Sequence, residues 1–279
     1  VYAPASLPID SSELSEPESV LFPSANNQKV HAFFYPPANT HFRGHDDDLP
    51  LVIAICHGGP TDATQSSLNL KIQYWTNRGF AVVDINYRGS TGFGRRYRQS
   101  LVGAWGLADV EDTQYAIGHL ASLGKIDPER CIIRGGSAGG YTVLSALTFT
   151  DTFKAGASLY GIGDLETLAK DTHKFESRYL DSLIGPYPER KDIYIERSPI
   201  NHIEGLNCPV IFLQGLEDKV VPPSQAEMMV DLLQSKGIKV AHVTFDDEGH
   251  GFRKAVNIIR AMESELHFYQ DVFNLIEGN

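Results

Sequence analysis

The 279-residue sequence predicts an α/β fold, a mainly parallel twisted sheet with helices on both faces and an antiparallel hairpin at its start. Three observations predict it. From Leu51 onward, short apolar runs of strand length alternate with amphipathic helical patterns, as in a parallel sheet covered on both sides. Before that, Val20-Leu21-Phe22 and Val30 to Tyr35 flank the turn-forming pair Asn26-Asn27, which reads as an antiparallel pair of strands. The third is a glycine-rich turn, Gly135 to Gly140, lying directly between a strand pattern and a helix pattern.

Residues 1–18 are rich in Pro, Ser and acidic side chains and read as a linker, leaving one domain over residues 19–279. After the hairpin comes a polar loop, Asn39 to Asp48. Strands are expected at Leu51–Cys56, Ala81–Ile85, Arg130–Arg134, Ala155–Tyr160, Val210–Gln214 and Val240–Phe245. Helices are expected at Leu68–Asn77, Val110–Leu123, Ala138–Thr148, Phe175–Leu183 and Ser224–Lys236, with a last amphipathic helix from Lys254 to Ile276. Pro222 and Pro223 suit the start of one of these helices, and Gly237 suits its end. No internal repeat is present.

Composition narrows the function. A net charge of −11 repels phosphate backbones, which argues against nucleic acid as a partner. The longest apolar run, Leu51 to Cys56, is far below the ~18 residues of a membrane span, and no signal-peptide pattern is visible. Cys56, Cys131 and Cys208 are odd in number and lie beside apolar strands. They read as buried thiols and point to a cytoplasmic or other intracellular compartment. The ten histidines include no H-E-x-x-H and no paired Cys-His spacing, so neither metal nor cofactor is expected.

The chemistry is concentrated in Gly135-Gly-Ser-Ala-Gly-Gly140. In its strand–turn–helix context this is G-x-S-x-G, the nucleophile elbow of the α/β-hydrolase fold. The turn is so tight that side chains beside Ser137 would meet the adjoining strand and helix, so glycine is needed there. A phosphate loop would require G-K-[ST] next, whereas Tyr141-Thr142 follows. A serine hydroxyl needs a base and an orienting carboxylate, which in this fold come later, acid before histidine. Asp218, past the Val210 strand, and His250, past the Val240 strand, lie on loops at the same edge of the sheet. Glu217 and Asp247 are rival acids. His242 falls inside a strand, and His173, His202 and His267 in or near helices. The oxyanion donors expected are the amides of Ala138 and of Gly59 in His57-Gly-Gly-Pro60, with His57 holding that loop. Arg88, Arg95, Arg96 and Arg98 leave the same edge, and suit either a substrate carboxylate or a solvated or domain-facing surface.

Taken in order, His57-Gly-Gly-Pro60, Asn86-Tyr-Arg-Gly-Ser90 with Gly92-Phe-Gly94, the elbow, Gly215-Leu-Glu-Asp218 with Val221-Pro222, and Gly249-His-Gly251 resemble the catalytic domain of the prolyl oligopeptidase family, in its acylaminoacyl-peptidase-like branch. The likeness runs from about Pro17 to the C-terminus. It implies hydrolysis of short peptides, esters or blocked amino acids through an acyl-enzyme. His57, Arg88, Tyr141, Lys219 and Val220, near the motif residues, are candidate substrate contacts. Two departures stand out. Family members usually carry an N-terminal β-propeller that this sequence lacks, so the chain is expected to be the hydrolase half of a longer protein. Many relatives also place Arg or Asn two residues after the catalytic Asp, where Val220 stands here. The expected activity is a serine peptidase acting on short peptides or blocked amino acids. The alternatives are a carboxylesterase for small esters and a silent hydrolase fold used for binding.

Overall fold

A computed structural model describes residues 9–42, 44, 48–171 and 178–275. Eight strands form one sheet: β1 (Glu18–Pro23), β2 (Lys29–Tyr35), β3 (Val52–Cys56), β4 (Ala81–Asn86), β5 (Cys131–Gly136), β6 (Ala155–Leu159), β7 (Val210–Gly215) and β8 (Val240–Phe245). Their order across the sheet is β1-β2-β4-β3-β5-β6-β7-β8. β1 pairs with β2, and β2 with β4, antiparallel; every later pairing is parallel. This is the α/β-hydrolase fold with the antiparallel start that the sequence predicts. Asn26 and Asn27 both take positive φ in the hairpin turn, a conformation asparagine tolerates better than most residues.

The helices are α1 (Leu70–Thr76), α2 (Arg95–Gln99), α3 (Ala108–Ser122), α4 (Ala138–Phe149), α5 (Leu165–Asp171), α6 (Tyr179–Leu183), α7 (Lys191–Arg197), α8 (Ser224–Ser235) and α9 (Ala255–Val272). The short helices α2, α5 and α7 carry too few turns for a readable apolar period, and the sequence did not reveal them. The expected helix Phe175–Leu183 is described only from residue 178. His173, Ile276 and residues 1–8 lie outside the described residues. Residues 9–17, read as linker, lie against the domain: Ser15 is buried, its amide donating to the Gln73 carboxamide at 2.8 Å and its hydroxyl to the Pro36 carbonyl at 2.6 Å.

Alternation along the strands divides the core in two. Val52, Ala54, Ala81, Val83, Cys131, Ile133, Val210 and Phe212 face α3, α4 and α8. Ile53, Val82, Ile132, Ala157, Ile211 and Leu213 face α1 and α9, where Trp75 and Tyr269 pack. The strand that leads into the glycine turn is also anchored electrostatically. Arg134 on β5 makes a two-pronged ion pair with the fully buried Glu265 of α9, at 2.7 and 3.0 Å. Removing either partner would strand a buried charge, so the pair fixes α9 against β5. Among the described residues no helix is long and apolar enough to cross a membrane.

Asp109, at the start of α3, is fully buried and clamps the turn before it to α4. It accepts from the Gly106 amide at 2.7 Å and the Thr142 hydroxyl at 2.6 Å. Burial raises its pKa to about 6 despite those two donors. The native state therefore holds a proton that the unfolded chain, near its ordinary 3.8, releases. Its contribution to stability falls as pH rises between those two values, costing roughly 3 kcal/mol once both states are ionised. Asp109→Asn is isosteric, and the Thr142 hydroxyl can turn to accept from its amide. Urea unfolding at pH 5 and pH 7.5 should show the variant gaining on the wild type as pH rises. An unchanged difference would mean that Asp109 titrates normally in the fold.

Candidate active site

The turn between β5 and α4 puts Ser137 at φ 57°, ψ −123°, a backbone state that costs energy unless its surroundings enforce it. They do so here by contact. A Cβ at Gly135 would sit 2.4 Å from the Gly139 carbonyl oxygen, and one at Gly139 would sit 2.2 Å from the Cys56 carbonyl oxygen on β3. No side chain fits at either place, and the backbone of β3, β5 and α4 closes tightly around the serine.

His250 Nε2 lies 2.8 Å from Ser137 Oγ, and His250 Nδ1 lies 2.8 Å from Asp218 Oδ2. The Asp218 side chain is fully buried and that of His250 partly exposed. The other Asp218 oxygen, Oδ1, accepts from the Val220 and Val221 amides at 2.8 and 2.9 Å. The carboxylate is thus oriented by its own loop and presents a single oxygen to the imidazole. The rival acids stand elsewhere: Glu217 is exposed, and Asp247 is bound to Lys254 and Asn257. Tyr160, at the end of β6 with φ 39°, sets its ring edge-on against His250 at 5.0 Å. Nothing in the sequence marks Tyr160, because its role depends on two strands meeting.

Ser137, Ala138, Gly59 and Val220 line one cavity of about 50 Å³, walled by Trp105, Ile162, Leu168, Tyr179, Leu180, Pro60 and Val221. No charged side chain lines it. The amides of Gly59 and Ala138 donate to no acceptor within the described residues, and Ala138 opens α4, where the helix dipole favours negative charge. Two free donors beside a hydroxyl suit an oxyanion. Apart from Pro60 and Val221, the walls come from elements the sequence marked only as apolar or left unassigned, so the sequence offered no signal for them. Larger grooves of about 420–600 Å³ around Phe42 and Arg78 include none of these residues.

The remaining sequence candidates are placed differently. His57 is mostly buried, stacked on Tyr87 at 4.2 Å, with Nδ1 2.8 Å from the Gly58 carbonyl and Nε2 2.7 Å from the Ser90 hydroxyl. Burial lowers its pKa, although the Gly58 carbonyl opposes the shift. Both ring nitrogens are therefore engaged in holding the loop that carries Gly59. Arg88 does not reach the cavity: it is buried and paired with Asp112 at 2.9 Å and Glu111 at 2.7 Å. Burial favours such charges only as pairs, so its guanidinium is committed to α3. Tyr141 is also withdrawn. It is fully buried against Trp105, and its hydroxyl donates to the Arg197 carbonyl at 2.9 Å. Lys219 is exposed, its side chain without a hydrogen bond or ion pair in the described residues, as are those of Arg95, Arg96 and Arg98. Cys56 and Cys131 are buried thiols, and burial pushes Cys131 up to about 12. Among the described residues no group of three His, Cys, Asp or Glu side chains is placed to hold a metal ion.

Known proteins resemble this chain in sequence and in fold. The chain is 33% identical over 218 residues to dipeptidyl aminopeptidase BIII of Pseudoxanthomonas mexicana, covering 76% of this chain and 32% of that protein. It is 31% identical over 232 residues to the acylamino-acid-releasing enzyme of Arabidopsis thaliana, covering 79% and 30%. The chain thus spans about a third of the length of these relatives. A solved puromycin-hydrolyzing peptidase of Mycobacterium tuberculosis superposes with a TM-score of 0.94 at 46% identity, covering 96% of this chain and 41% of the other. The profile of the prolyl oligopeptidase family matches residues 66–275, a span that holds the glycine turn, the Asp218 loop and the His250 loop, and the chain belongs to that family.

Proposed function

We propose that this chain is the catalytic domain of a serine peptidase that cleaves short peptides or aminoacyl amides through an acyl-enzyme. One observation carries the reading: a single imidazole stands 2.8 Å from both the Ser137 hydroxyl and the Asp218 carboxylate. In this mechanism Ser137 Oγ attacks the scissile carbonyl carbon while His250 Nε2 takes its proton. The Gly59 and Ala138 amides hold the oxyanion. His250 then passes the proton to the leaving amine as the C–N bond breaks, and a water deacylates Ser137 by the same route. The relatives named as aminopeptidase, acylamino-acid-releasing enzyme and puromycin-hydrolyzing peptidase support an amide substrate.

The uncharged cavity supports an apolar side chain beside the scissile bond. One water needs about 10–15 Å³ on this scale, so 50 Å³ takes a handful of heavy atoms. Labelling of Ser137 by a fluorophosphonate, lost in Ser137→Ala, tests for an activated serine and separates an enzyme from a silent binding fold. Turnover of a leucyl or valyl anilide against its matching ester separates peptidase from carboxylesterase. A further domain of the same protein, the family's β-propeller, is proposed to dock over the catalytic edge, where Arg95, Arg96 and Arg98 stand exposed.

Val220 supports a short reach on the acyl side. It lines the cavity with an apolar side chain, and its amide is already given to Asp218. A guanidinium at this position would add a charge-assisted hydrogen bond to a substrate carbonyl, worth about 1.5–3 kcal/mol or roughly 10–150-fold. Val220→Arg should raise kcat/KM for dipeptidyl anilides by that order and leave acetate esters nearly unchanged. The exposed Lys219 is the control. If Lys219→Ala alone abolishes a strong preference for longer peptides, Lys219 already supplies the anchor.

A further inference from the structure

His250 sits within the segment 248–253 that leads from β8 into α9, and the ends of this segment are tied together by one side chain. Glu248 is buried. Its Oε2 accepts from the Arg253 amide at 3.1 Å, and its Oε1 accepts from the Lys254 amide and the Asn257 carboxamide, both at 2.9 Å. Its backbone carbonyl takes the Glu217 amide at 3.0 Å, one residue before Asp218. A Cβ at Gly215 would lie 2.4 Å from that same carbonyl oxygen. Two residues before His250, this side chain and backbone therefore join the start of α9 to the loop that carries Asp218. Burial works against its charge, but the three donors prevail, and its pKa is lowered.

We propose that Glu248 is the positioning residue of His250: its carboxylate closes the 248–253 segment into a loop and so sets the imidazole between Ser137 and Asp218. This rests on the acyl-enzyme reading above. The physical argument concerns distance. Without the carboxylate, the Arg253 and Lys254 amides lose their acceptor. What remains is the Glu217–Glu248 backbone bond, the Asp247 contacts with Lys254 and Asn257, and Phe252 packed on Tyr160 and Phe245, none of which takes up the Arg253 amide. A misplacement of about 1 Å at a reacting group can cost about 10²-fold in rate, whereas the cavity that binds the substrate contains none of these residues. The loss should thus fall on kcat and spare KM.

The test compares Glu248→Ala, Glu248→Gln and His250→Ala in the full-length protein, with kcat expressed per serine titrated to completion by a fluorophosphonate. Glu248→Ala should lower kcat per site by about 30–100-fold with KM within about threefold, and slow the fluorophosphonate reaction in parallel. Glu248→Gln retains one acceptor oxygen and should recover part of the loss, leaving kcat per site about three- to tenfold below wild type. A residue needed only for stability would reduce the number of titratable sites and the Tm but leave kcat per site unchanged. That result in Glu248→Ala overturns the proposal. Should Glu248→Ala yield no folded protein, a kcat per site for Glu248→Gln within twofold of wild type overturns it equally. The His250→Ala arm keeps the two ideas apart, because activity surviving there removes His250 as the base on which the acyl-enzyme reading is built.

Discussion

Replacing Ser137 by alanine is expected to lower kcat by about 10⁵–10⁶-fold, and His250→Ala by a similar factor. The double variant should be no worse than either single one. The reason lies in the connectivity: Ser137, His250 and Asp218 form one chain of hydrogen bonds at 2.8 Å, closed at its far end by the Val220 and Val221 amides. Removing the hydroxyl takes away the atom that attacks. Removing the imidazole leaves a serine whose proton has no acceptor. What survives is binding and the Gly59 and Ala138 amides, which neither change disturbs. KM for an aminoacyl anilide should move little, because the cavity walls are intact. The check is steady-state kcat on that anilide for the three variants. Retention of more than about a tenth of wild-type kcat by either single variant would show that another nucleophile or base is at work.

Asp218→Asn should cost about 10⁴-fold in kcat at neutral pH, more than its nearly identical shape suggests. The direction of the new carboxamide is dictated by its neighbours. Two backbone amides point at Oδ1, so the asparagine oxygen must face them, and its NH₂ group is left facing His250 Nδ1. Two donors cannot share that contact, and Nδ1 must give up its proton. The imidazole then carries its hydrogen on Nε2, facing Ser137 Oγ, and can no longer take the serine's proton. The variant should fold normally and bind substrate while turning over slowly. A loss below about tenfold would move the orienting role to another carboxylate. Glu217, one residue earlier in the same loop, would be the next to test.

Much of this was legible in the amino-acid sequence for a physical reason. Residues whose chemistry depends on local backbone geometry leave local marks. The glycines around Ser137 are obligatory because the turn has no room for a Cβ, so the elbow is readable from six consecutive letters. Alternating apolar residues of β3 to β7 must bury both faces, so the parallel sheet is readable from its period, and the ends of its strands place Asp218 and His250 at one edge. What the tertiary structure alone decided depends on residues far apart in the chain. Arg88 and Tyr141 look available beside motif residues, yet the packing of α3 and α7 consumes them through Asp112, Glu111 and the Arg197 carbonyl. Trp105, Ile162, Leu168 and Leu180 are indistinguishable from core residues in one dimension, and they wall the cavity only because four separate segments converge over Ser137. Glu248 reads as one acidic residue among 35 Asp and Glu. The turn from β8 into α9 brings three donors, five to nine residues on, onto its carboxylate, and nothing in the residue types announces that turn. Sequence carries the conformational demands of single turns and periods, whereas burial, pairing and convergence are properties of the assembled fold.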